Sequence, residues 1–488
     1  MSQSLWLGLD VGTQSTKAIV LDAGTHQVIA RASVPYDLID GLPEGAAEQH
    51  PQTWADAVAA ALNQISQQGV KLHDIKGVGV SGQQHGLVLL DQQGRPVRAA
   101  KLWCDTATAA EAEDLSKRFG RPVPTGFTAS KILWVINHEP DQWARTGHVM
   151  LPHDYINYLL TGRLTMEVGD ASGSGFFDPA NRSFNRREVD LISPDLAAKL
   201  PELIEAPTPV GTVSANGSAW CGLAEDTLVA AGGGDNMMSA IGSGATTPGP
   251  VVLSLGTSGT VFACADQPVI DPDGLIAPFC SSAGDFLPLL CTMNVTAVTE
   301  EVREAFNLGH EQLTEQAAAI PAGSNGLLWL PYLAGERVPD LPRATGTLLG
   351  LRHGWLDPAT LFRAAIEGTT LNLAWGAQRM QSLGVPITSI RLVGGGSKNP
   401  LWRQIAADLF NVPVTALEEP ESAALGGALQ TLWTHHRQTD PAADITNLAE
   451  PFIATGPSLK PNPDNAKTYA SLFDRFVDAL EDCYGSRD

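Results

Sequence analysis

Residues Leu7 to Lys17 read LGLDVGTQSTK, and a second apolar run, Ala18 to Leu21, follows directly. The apolar residues on either side of a short Gly-Thr turn predict two strands joined by a tight turn. Asp10 falls where the first strand ends. A carboxylate there can hold a hydrated metal ion, and the small residues after it let backbone N–H groups approach a phosphate. An ordinary hairpin whose turn contains a hydrogen-bonded Asp accounts for the same residues.

The turn is not one of the two best-known nucleotide-binding loops. A Walker loop has Gly-Lys-Ser/Thr after the turn, which this stretch lacks. A dinucleotide fingerprint leads into a helix, whereas the residues after Thr16 predict a strand. A phosphate site at this turn therefore belongs to a different architecture.

The second half of the chain repeats the pattern. Residues Val251 to Phe262 read VVLSLGTSGTVF, again an apolar run, a turn at Gly256-Thr257 and a second apolar run. Aligned on Gly-Thr, Asp10 corresponds to Ser254. Two such turns, one in each half, indicate a polyphosphate held between two related domains. Because phosphoryl transfer depends mostly on positioning and charge neutralisation, an ATP-dependent phosphotransferase is the natural candidate.

Length, charge and cysteine content narrow the class of protein. A chain of 488 residues exceeds one core, so two domains are expected. Its formal net charge of -22 disfavours nonspecific binding to nucleic acid or to an anionic membrane. The six cysteines lack paired metal-ligand spacing, which is typical of reduced thiols in a cytoplasmic protein. No apolar run is long enough to span a membrane, and Asp10 interrupts the N-terminal apolar stretch, unlike in a signal peptide.

Strand–glycine–helix units occur at matching places in the two halves. The unit at residues 75–86 corresponds to the unit at 390–399, and the unit at 227–244 corresponds to the unit at 412–433. Each has an apolar strand that runs into a glycine turn or a helix of small residues. This weak internal duplication predicts that both halves share one α/β plan.

On these residues the chain resembles the FGGY carbohydrate kinases, in the actin and hexokinase-like ATPase superfamily, from Leu7 to about Leu432. The first family signature fits at residues 126–138, GFTASKILWVINH. The second fits at residues 346–351 and 361–367, with Thr360 where an acid, amide or His is usual. Within the family, the run Gly-Gln-Gln-His-Gly at residues 82–86 is most similar to members that phosphorylate xylulose.

The resemblance implies an α/β fold with two ribonuclease H-like domains of the actin and hexokinase type and a cleft between them. Residues 1–246 would form the N-terminal domain, with the sugar side and the catalytic Asp. Residues 247–435 would form the C-terminal domain, with the nucleotide side. Residues 436–488 are expected to be a helical tail without chemistry. ATP would lie between the domains, and the sugar deep in the cleft.

The resemblance also implies roles for individual residues. Asp235 becomes the general base on the sugar hydroxyl, and Asp10 the catalytic carboxylate near Mg²⁺ and the transferred phosphate. The sugar contacts would be Gln84, His85, Asp235 and Asn236. The nucleotide contacts would be Thr13, Gln14, Ser15, Gly256, Thr257, Gly395, Gly396 and Asn399. Trp103 and Asp105 also resemble a family feature near the sugar, although Ala107 stands where an Arg is frequent.

The residues around Asp235 allow two interpretations, a helix cap and a catalytic carboxylate. It follows three glycines and precedes an apolar helix, where an acid is ordinarily a cap worth on the order of 1 kcal/mol. A cap does not need three glycines, whereas close approach of the backbone to a ligand does. The helix dipole keeps such a carboxylate ionised, as an acceptor of a hydroxyl proton must be. The glycines at 394–396 likewise fit either a nucleotide turn or a plain strand-to-helix turn.

The predicted function is phosphorylation of D-xylulose by MgATP to D-xylulose 5-phosphate and ADP. The consecutive polar side chains of Gln84 and His85 suit a neutral polyol. Alternatives are a kinase for ribulose, a deoxy-xylulose or glycerol, and a non-catalytic nucleotide- or sugar-binding regulator with the same fold. Two domains around a cleft predict closure on substrate. A homodimer is the commonest assembly on general grounds.

Overall fold

The computed structural model describes residues 4–485, in two halves that each contain one large sheet. The strands of the first half are β1 (Leu5–Val11), β2 (Ser15–Asp22), β3 (Gln27–Pro35), β4 (Glu48–Gln49), β5 (Ile75–Gly82), β6 (Val88–Leu90), β7 (Ala100–Lys101), β8 (His148–Met150), β9 (Thr165–Glu167), β10 (Phe177–Asp178), β11 (Ser183–Phe184), β12 (Glu202–Ile204), β13 (Gly211–Thr212), β14 (Leu228–Val229) and β15 (Gly233–Gly234). Its helices are α1 (Pro51–Gln67), α2 (Ala109–Phe119), α3 (Thr128–His138), α4 (Pro140–Arg145), α5 (Pro152–Thr161), α6 (Val168–Ala171), α7 (Arg186–Ile192), α8 (Ala215–Cys221) and α9 (Asp235–Gly242).

The second half continues the numbering. Its strands are β16 (Gly249–Leu255), β17 (Gly259–Ala263), β18 (Ala277–Cys280), β19 (Phe286–Thr292), β20 (Leu328–Leu330), β21 (Thr347–Leu349), β22 (Ile387–Val393) and β23 (Val414–Ala416). Its helices are α10 (Thr296–Phe306), α11 (His310–Ala318), α12 (Pro358–Ser382), α13 (Pro400–Phe410), α14 (Ser422–Arg437), α15 (Ile445–Ala449) and α16 (Pro463–Tyr484). A short 3-10 turn, Gly395–Lys398, joins β22 to α13.

The first sheet has the strand order β13-β14-β5-β1-β2-β3, and β15 pairs with the end of β5. β1 and β2 form the predicted antiparallel hairpin, in which Asp10 lies opposite Lys17. β1 and β5 are parallel, and so are β5 and β14. β1 is buried throughout, which is why its sequence is an almost continuous apolar run.

The second sheet repeats this arrangement in the order β18-β19-β17-β16-β22-β23. β16 and β17 form the antiparallel hairpin, whereas β16, β22 and β23 are parallel neighbours. β22 therefore occupies the place of β5, and β23 the place of β14, as the internal duplication predicts. The structure confirms the predicted α/β fold of two related ribonuclease H-like domains.

Helix α14 packs on the first sheet and on α9, and glycines allow both contacts. A Cβ on Gly8 of β1 would stand 1.8 Å from the carbonyl oxygen of Ala424, and one on Gly79 of β5 would stand 2.1 Å from that of Gly427. A Cβ on Gly426 would stand 1.9 Å from the carbonyl oxygen of Met238 in α9. The backbones touch directly, so α14 completes the core of the first half although it comes late in the chain.

The tail contributes to both cores. Ile445 of α15 belongs to the first core, whereas Leu472 and Phe476 of α16 belong to the second. The buried Tyr469 hydroxyl donates to Glu367 Oε1 at 2.7 Å, and Arg363 donates to the same hydroxyl at 2.9 Å. The domain limits at residues 246 and 435 stay a prediction.

The structure also describes the cysteines and the helices long enough to be considered as membrane spans. The six cysteines, all within the described range, are free thiols. Across residues 4–485, no helix has both the length and the apolar character needed to cross a membrane.

Candidate active site

Asp10 and Asp235 are brought together by the end of β5. Ser81 of β5 lies beside Asp10 in the parallel register, and its hydroxyl donates to Asp10 Oδ1 at 2.9 Å. On the other side of β5, β15 pairs Gly233 with the same Ser81, and α9 begins at Asp235. The two carboxylates therefore stand at the carboxyl ends of neighbouring parallel strands.

Burial and mutual repulsion shape the charge of this pair. Burial, followed by the charges of Asp10 and Asp170, raises the pKa of Asp235 to about 7. The backbone N–H of Asn236 donates to Asp235 Oδ1 at 2.8 Å and partly offsets that rise. Burial also raises the pKa of Asp10, and the nearby Lys17 opposes the shift. Asp235 is thus balanced between its acid and base forms near neutral pH.

Gln84 and Asn236 form a hydrogen-bonded pair beside Asp235. Asn236 donates its Nδ2 to Gln84 Oε1 at 2.9 Å, and its Oδ1 accepts from the Thr260 hydroxyl of β17 at 3.1 Å. A Cβ on Gly234 would stand 2.6 Å from Gln84 Cγ. The glycine run before Asp235 is therefore needed so that Gln84 can approach the backbone.

His85 adopts the left-handed conformation, with φ of 63°, and stacks on Phe127 with ring centroids 4.3 Å apart. Its carbonyl oxygen accepts from Lys131 Nζ at 2.9 Å and from the Thr128 hydroxyl at 3.2 Å. Burial, aided by the charge of Lys131, lowers the pKa of His85 to about 3. The imidazole is neutral at physiological pH.

Lys131 is a fully buried lysine of α3 whose hydrogen-bond acceptors are main-chain carbonyls. Besides His85, Nζ donates to the carbonyl oxygen of Gly126. Burial lowers the pKa of Lys131 to about 7, although Asp105 and Cys104 oppose that shift. Lys131 thus ties the His85 turn to the loop before α3.

A cavity of about 530 Å³ opens between the two halves next to these residues. Its size is within the range of small-molecule sites. From the first half it is lined by residues that include Gln84, His85, Trp103, Phe127, Asp235 and Asn236. From the second half it is lined by residues that include Ser254, Thr260, Phe279, Leu289, Cys291 and Arg337. The cavity is therefore shared by the two halves, and the expected position of the sugar against the N-terminal domain stays a prediction.

Comparison with known proteins identifies the family. The N-terminal domain of the FGGY family of carbohydrate kinases matches residues 5–242, and its C-terminal domain matches residues 251–435. The chain belongs to the FGGY family of carbohydrate kinases. It is therefore an ATP-dependent kinase, and the family resemblance noted in its sequence is confirmed.

Individual FGGY relatives match over nearly the whole chain. The xylulose kinase of Haemophilus influenzae is 39% identical and covers 98% of this chain and 100% of its own length. The solved xylulose kinase of Lactobacillus acidophilus has a TM-score of 0.90 and 25% identity, with 99% of each chain covered. The gluconate kinase of the same organism has a TM-score of 0.89 and 25% identity, covering 99% of this chain and 98% of its own.

In this FGGY kinase the first Gly-Thr turn, at Gly12-Thr13, is hydrogen-bonded to other residues of the first half through the Thr13 side chain. The Thr13 hydroxyl donates to Gln83 Oε1 at 3.0 Å and accepts from Trp103 Nε1 at 2.9 Å. The turn closes through a Gly12 N–H bond to the Ser15 carbonyl oxygen at 3.0 Å, and Gln14 is exposed. Trp103 itself lines the cavity, so the Thr13 side chain lies one hydrogen bond away from it.

The second turn also closes through the N–H of its glycine, but over one residue fewer. Gly256 N–H donates to the Ser258 carbonyl oxygen at 3.1 Å, and Thr257 is exposed. None of the predicted nucleotide contacts lines the 530 Å³ cavity, although Ser254 and Ser258 of this turn region do. The second turn region thus borders the cavity, and the predicted nucleotide roles of both turns stay predictions.

The predicted adenosine contacts lie at the end of β22. Gly395 has open space where a side chain would be, and Gly396 packs on Leu255. Asn399 caps α13, because its Oδ1 accepts from the N–H groups of Leu401 at 3.0 Å and Trp402 at 3.2 Å. That capping role was not anticipated from the sequence, and the contact with adenosine remains a prediction.

A buried charged cluster lies behind Gln84. His153 Nδ1 is 2.8 Å from Asp170 Oδ2, and its Nε2 is 2.9 Å from Asp154 Oδ1. Burial alone would lower the pKa of His153, yet these two carboxylates hold it well above its usual value. The imidazolium neutralises part of the negative charge that Asp170 directs at Asp235.

Several residues that line the cavity or support its lining were missed by sequence reasoning. Lys131 lies within the first family signature, residues 126–138. A lysine among the apolar residues of a helix is a signal that could have marked it. Phe279, Thr260 and Arg337 come from strands and a loop of the other half and have no local pattern that marks them. Asp105, expected near the sugar, instead accepts from the buried Lys101 at 2.7 Å.

Proposed function

We propose that this FGGY kinase transfers the γ-phosphoryl group of ATP to the 5-hydroxyl of D-xylulose, giving D-xylulose 5-phosphate and ADP. The observation that carries the proposal is the group of neutral polar side chains around Asp235 in the shared cavity. Relatives named xylulose kinase, matched along almost the full chain, support the choice of sugar.

Asp235 is the proposed general base. Its Oδ1 is held by the Asn236 backbone, which leaves Oδ2 to accept the proton of the sugar hydroxyl. The hydroxyl oxygen then attacks the γ-phosphorus, and the bond from that phosphorus to the bridging oxygen of ADP breaks. A pKa near the working pH suits a group that must take up a proton and release it again.

Neutral groups select a neutral polyol in this proposal. The amides of Gln84 and Asn236 and the neutral imidazole of His85 supply donors and acceptors without charge. Phe127 and Phe279, whose ring centroids are 6.1 Å apart, provide apolar surface in the cavity. A carboxylated or phosphorylated sugar would find no charged partner among these sugar-side groups.

Mg²⁺ fits the carboxylate at Asp10. Ser81 occupies Oδ1 and leaves Oδ2 available. Within the described residues, no group of three or more His, Cys, Asp or Glu side chains is arranged to hold a metal ion. A single carboxylate suffices for Mg²⁺, because that ion keeps several waters and takes phosphate oxygens as further ligands. When bound, it would neutralise phosphate charge.

The nucleotide is proposed to lie along the strand ends of both halves. The phosphates would contact Thr13, Gln14, Ser15, Gly256 and Thr257 through backbone N–H groups and hydroxyls. The adenosine would lie over Gly395, where the missing side chain leaves space, and near Gly396 and Asn399. The cytoplasmic location and the homodimer expected from the sequence also stay predictions.

Coupled ADP release tests the proposal. The purified protein would be assayed with MgATP and D-xylulose, L-xylulose, D-ribulose, L-ribulose, xylitol, glycerol and gluconate. Turnover on D-xylulose, with kcat/KM at least tenfold above every other acceptor, is expected. A higher kcat/KM on another acceptor would refute the choice of sugar and leave the kinase assignment intact.

A further inference from the structure

Arg337 lies in a loop of the second half whose backbone is fixed by a buried carboxylate. Glu336 is 1% exposed, and its Oε1 accepts from the N–H groups of Met293 at 2.6 Å and of Arg337 itself at 2.7 Å. Its Oε2 accepts from Asn294 Nδ2 at 3.0 Å. The main chain of Arg337 is therefore held in one position at the cavity edge.

The side chain of Arg337 lines the cavity across from the first half. Its charge acts on Cys291, where it opposes the rise in thiol pKa caused by burial. Cys291 pairs with Thr260 in the β17–β19 register, and the Thr260 hydroxyl donates to Asn236, the neighbour of Asp235. These contacts place the guanidinium on the wall that faces the proposed base.

No carboxylate in residues 4–485 lies within 4.0 Å of the Arg337 nitrogens. Two other arginines of the second half have carboxylate partners, Arg363 with Glu367 at 2.7 Å and Arg379 with Asp271 at 2.5 Å. The Arg337 guanidinium is half-buried, so it loses part of its hydration, and no counter-ion offsets the free-energy cost of that loss. In a cavity bordered by a phosphate turn, an anionic ligand supplies the missing partner.

We propose that Arg337 donates hydrogen bonds to the phosphoryl group in transfer and is a catalytic residue of the second half. The proposal rests on the proposed function. As the new bond to the sugar oxygen forms and the bond to ADP breaks, the sugar proton goes to Asp235 and Arg337 stays protonated. Its planar fork matches two phosphoryl oxygens, a geometry that a lysine cannot reproduce.

This role predicts a specific pattern of losses. A contact made mainly to the transferring group affects kcat and the binding of phosphorylated product, whereas a contact to the sugar affects sugar binding. Removing Arg337 should therefore lower kcat by about 10²–10³-fold. It should weaken product binding by roughly 10–100-fold and leave sugar and ADP binding within about twofold.

The experiment compares Arg337→Ala and Arg337→Lys with Arg343→Ala, a matched control at an exposed arginine in the same loop. Whichever acceptor the panel above identifies is used, so the test stands even when D-xylulose is not the substrate. Kinetics, titration with sugar, ADP and phosphorylated product, and rescue of Arg337→Ala by millimolar guanidinium are measured. Thermal unfolding checks that each variant is folded.

The expected result is a large loss of kcat and of product affinity in Arg337→Ala, partial recovery with guanidinium, incomplete activity in Arg337→Lys and normal behaviour of Arg343→Ala. A rise in sugar KM at unchanged kcat would overturn the proposal in favour of a sugar contact. Unchanged kinetics in Arg337→Ala, or a loss that guanidinium does not relieve and that follows lowered thermal stability, would also overturn it.

Discussion

Asp235 is half-buried near the charges of Asp10 and Asp170 and yet has to act as a carboxylate, and its pKa of about 7 follows from that conflict. Desolvation and the charges of Asp10 and Asp170 favour the protonated acid, while hydrogen bonds from Asn236 favour the anion. A modest change around this side chain therefore moves a large fraction of the molecules between active and inactive forms.

Asp235→Asn should lower kcat by about 10²–10⁴-fold, because the amide cannot accept the hydroxyl proton. In the unmodified enzyme, kcat/KM should fall about tenfold per pH unit below about 7, since only the ionised form is a base. Coupled assays between pH 5.5 and 9 measure both. A rate independent of pH across this range would contradict the assignment.

The same variant contains its own folding control. Because the folded-state pKa of Asp235 is raised, its titration costs the folded state a free energy that is complete above about pH 7 and is lost as the pH falls from about 7 to about 4, the ordinary pKa of an Asp. Asp235→Asn should therefore increase the free energy of unfolding at pH 8 by roughly 2–4 kcal/mol. Urea titrations at pH 8 would show an inactive but more stable protein.

Lys131→Met should raise the KM for the sugar by roughly tenfold while kcat changes little. The substitution removes the donor that holds the His85 carbonyl in its left-handed turn, so the imidazole loses its fixed position. Thr128→Val removes a weaker donor to the same carbonyl and should have a smaller effect in the same direction. An unchanged sugar KM in both variants would show that His85 is held by its stacking on Phe127 alone.

At single positions, the sequence was informative where neighbours in the chain are neighbours in the site. Gln84 and His85 are consecutive, as are Asp235 and Asn236, and the structure brings both pairs to one cavity. Phe279 and Arg337 reach that cavity only through the packing of the two halves. Because no local sequence pattern encodes how the two halves pack, these two residues could not be assigned to the site from the sequence.

The glycines between β1, β5 and α14 decide how closely these segments pack. Gly79→Ala should destabilise the protein by several kcal/mol, roughly 2–4, because the new methyl group would meet the Gly427 carbonyl at 2.1 Å. Gly309→Ala is the control, since no atom lies within 4 Å of a Cβ there. Chemical denaturation measures both. Equal stability of the two variants would mean that α14 moves away from the sheet at little cost.

Secondary structure was predictable where apolar periodicity is long and uninterrupted. Residues 51–66, an Ala-rich run that begins with Pro51, are typical of a helix, and the structure has a helix at Pro51–Gln67 with a buried face that includes Trp54 and Val58. The apolar residues 227–231 are typical of a strand, but the observed strand covers only Leu228–Val229, because the chain turns at Gly232, with φ of 79°, before it rejoins the sheet as β15. Which sheet α14 covers was not predictable, because small residues pack equally well on either.

The cavity joins both halves, so a ligand should stabilise them together. D-Xylulose at about 100 times its Kd is expected to add about 2.7 kcal/mol to the free energy of unfolding. Phe279→Ala should reduce that gain, because the second half then loses an aromatic contact beside His85. Calorimetry with and without sugar measures this gain in the free energy of unfolding. Phe306→Ala is the control, because Phe306 is partly exposed. An undiminished gain in Phe279→Ala would place the sugar on the first half alone.

The late position of α14 in the chain has a consequence for synthesis on the ribosome. The first sheet and α9 are complete by Gly242, but the helix that seals them begins only at Ser422. Translation of the intervening stretch takes about 10–40 s at roughly 5–20 residues per second. During that time the nascent chain carries a glycine-lined sheet face with no cover. Growth of the polypeptide therefore sets the earliest moment at which its first domain can finish folding.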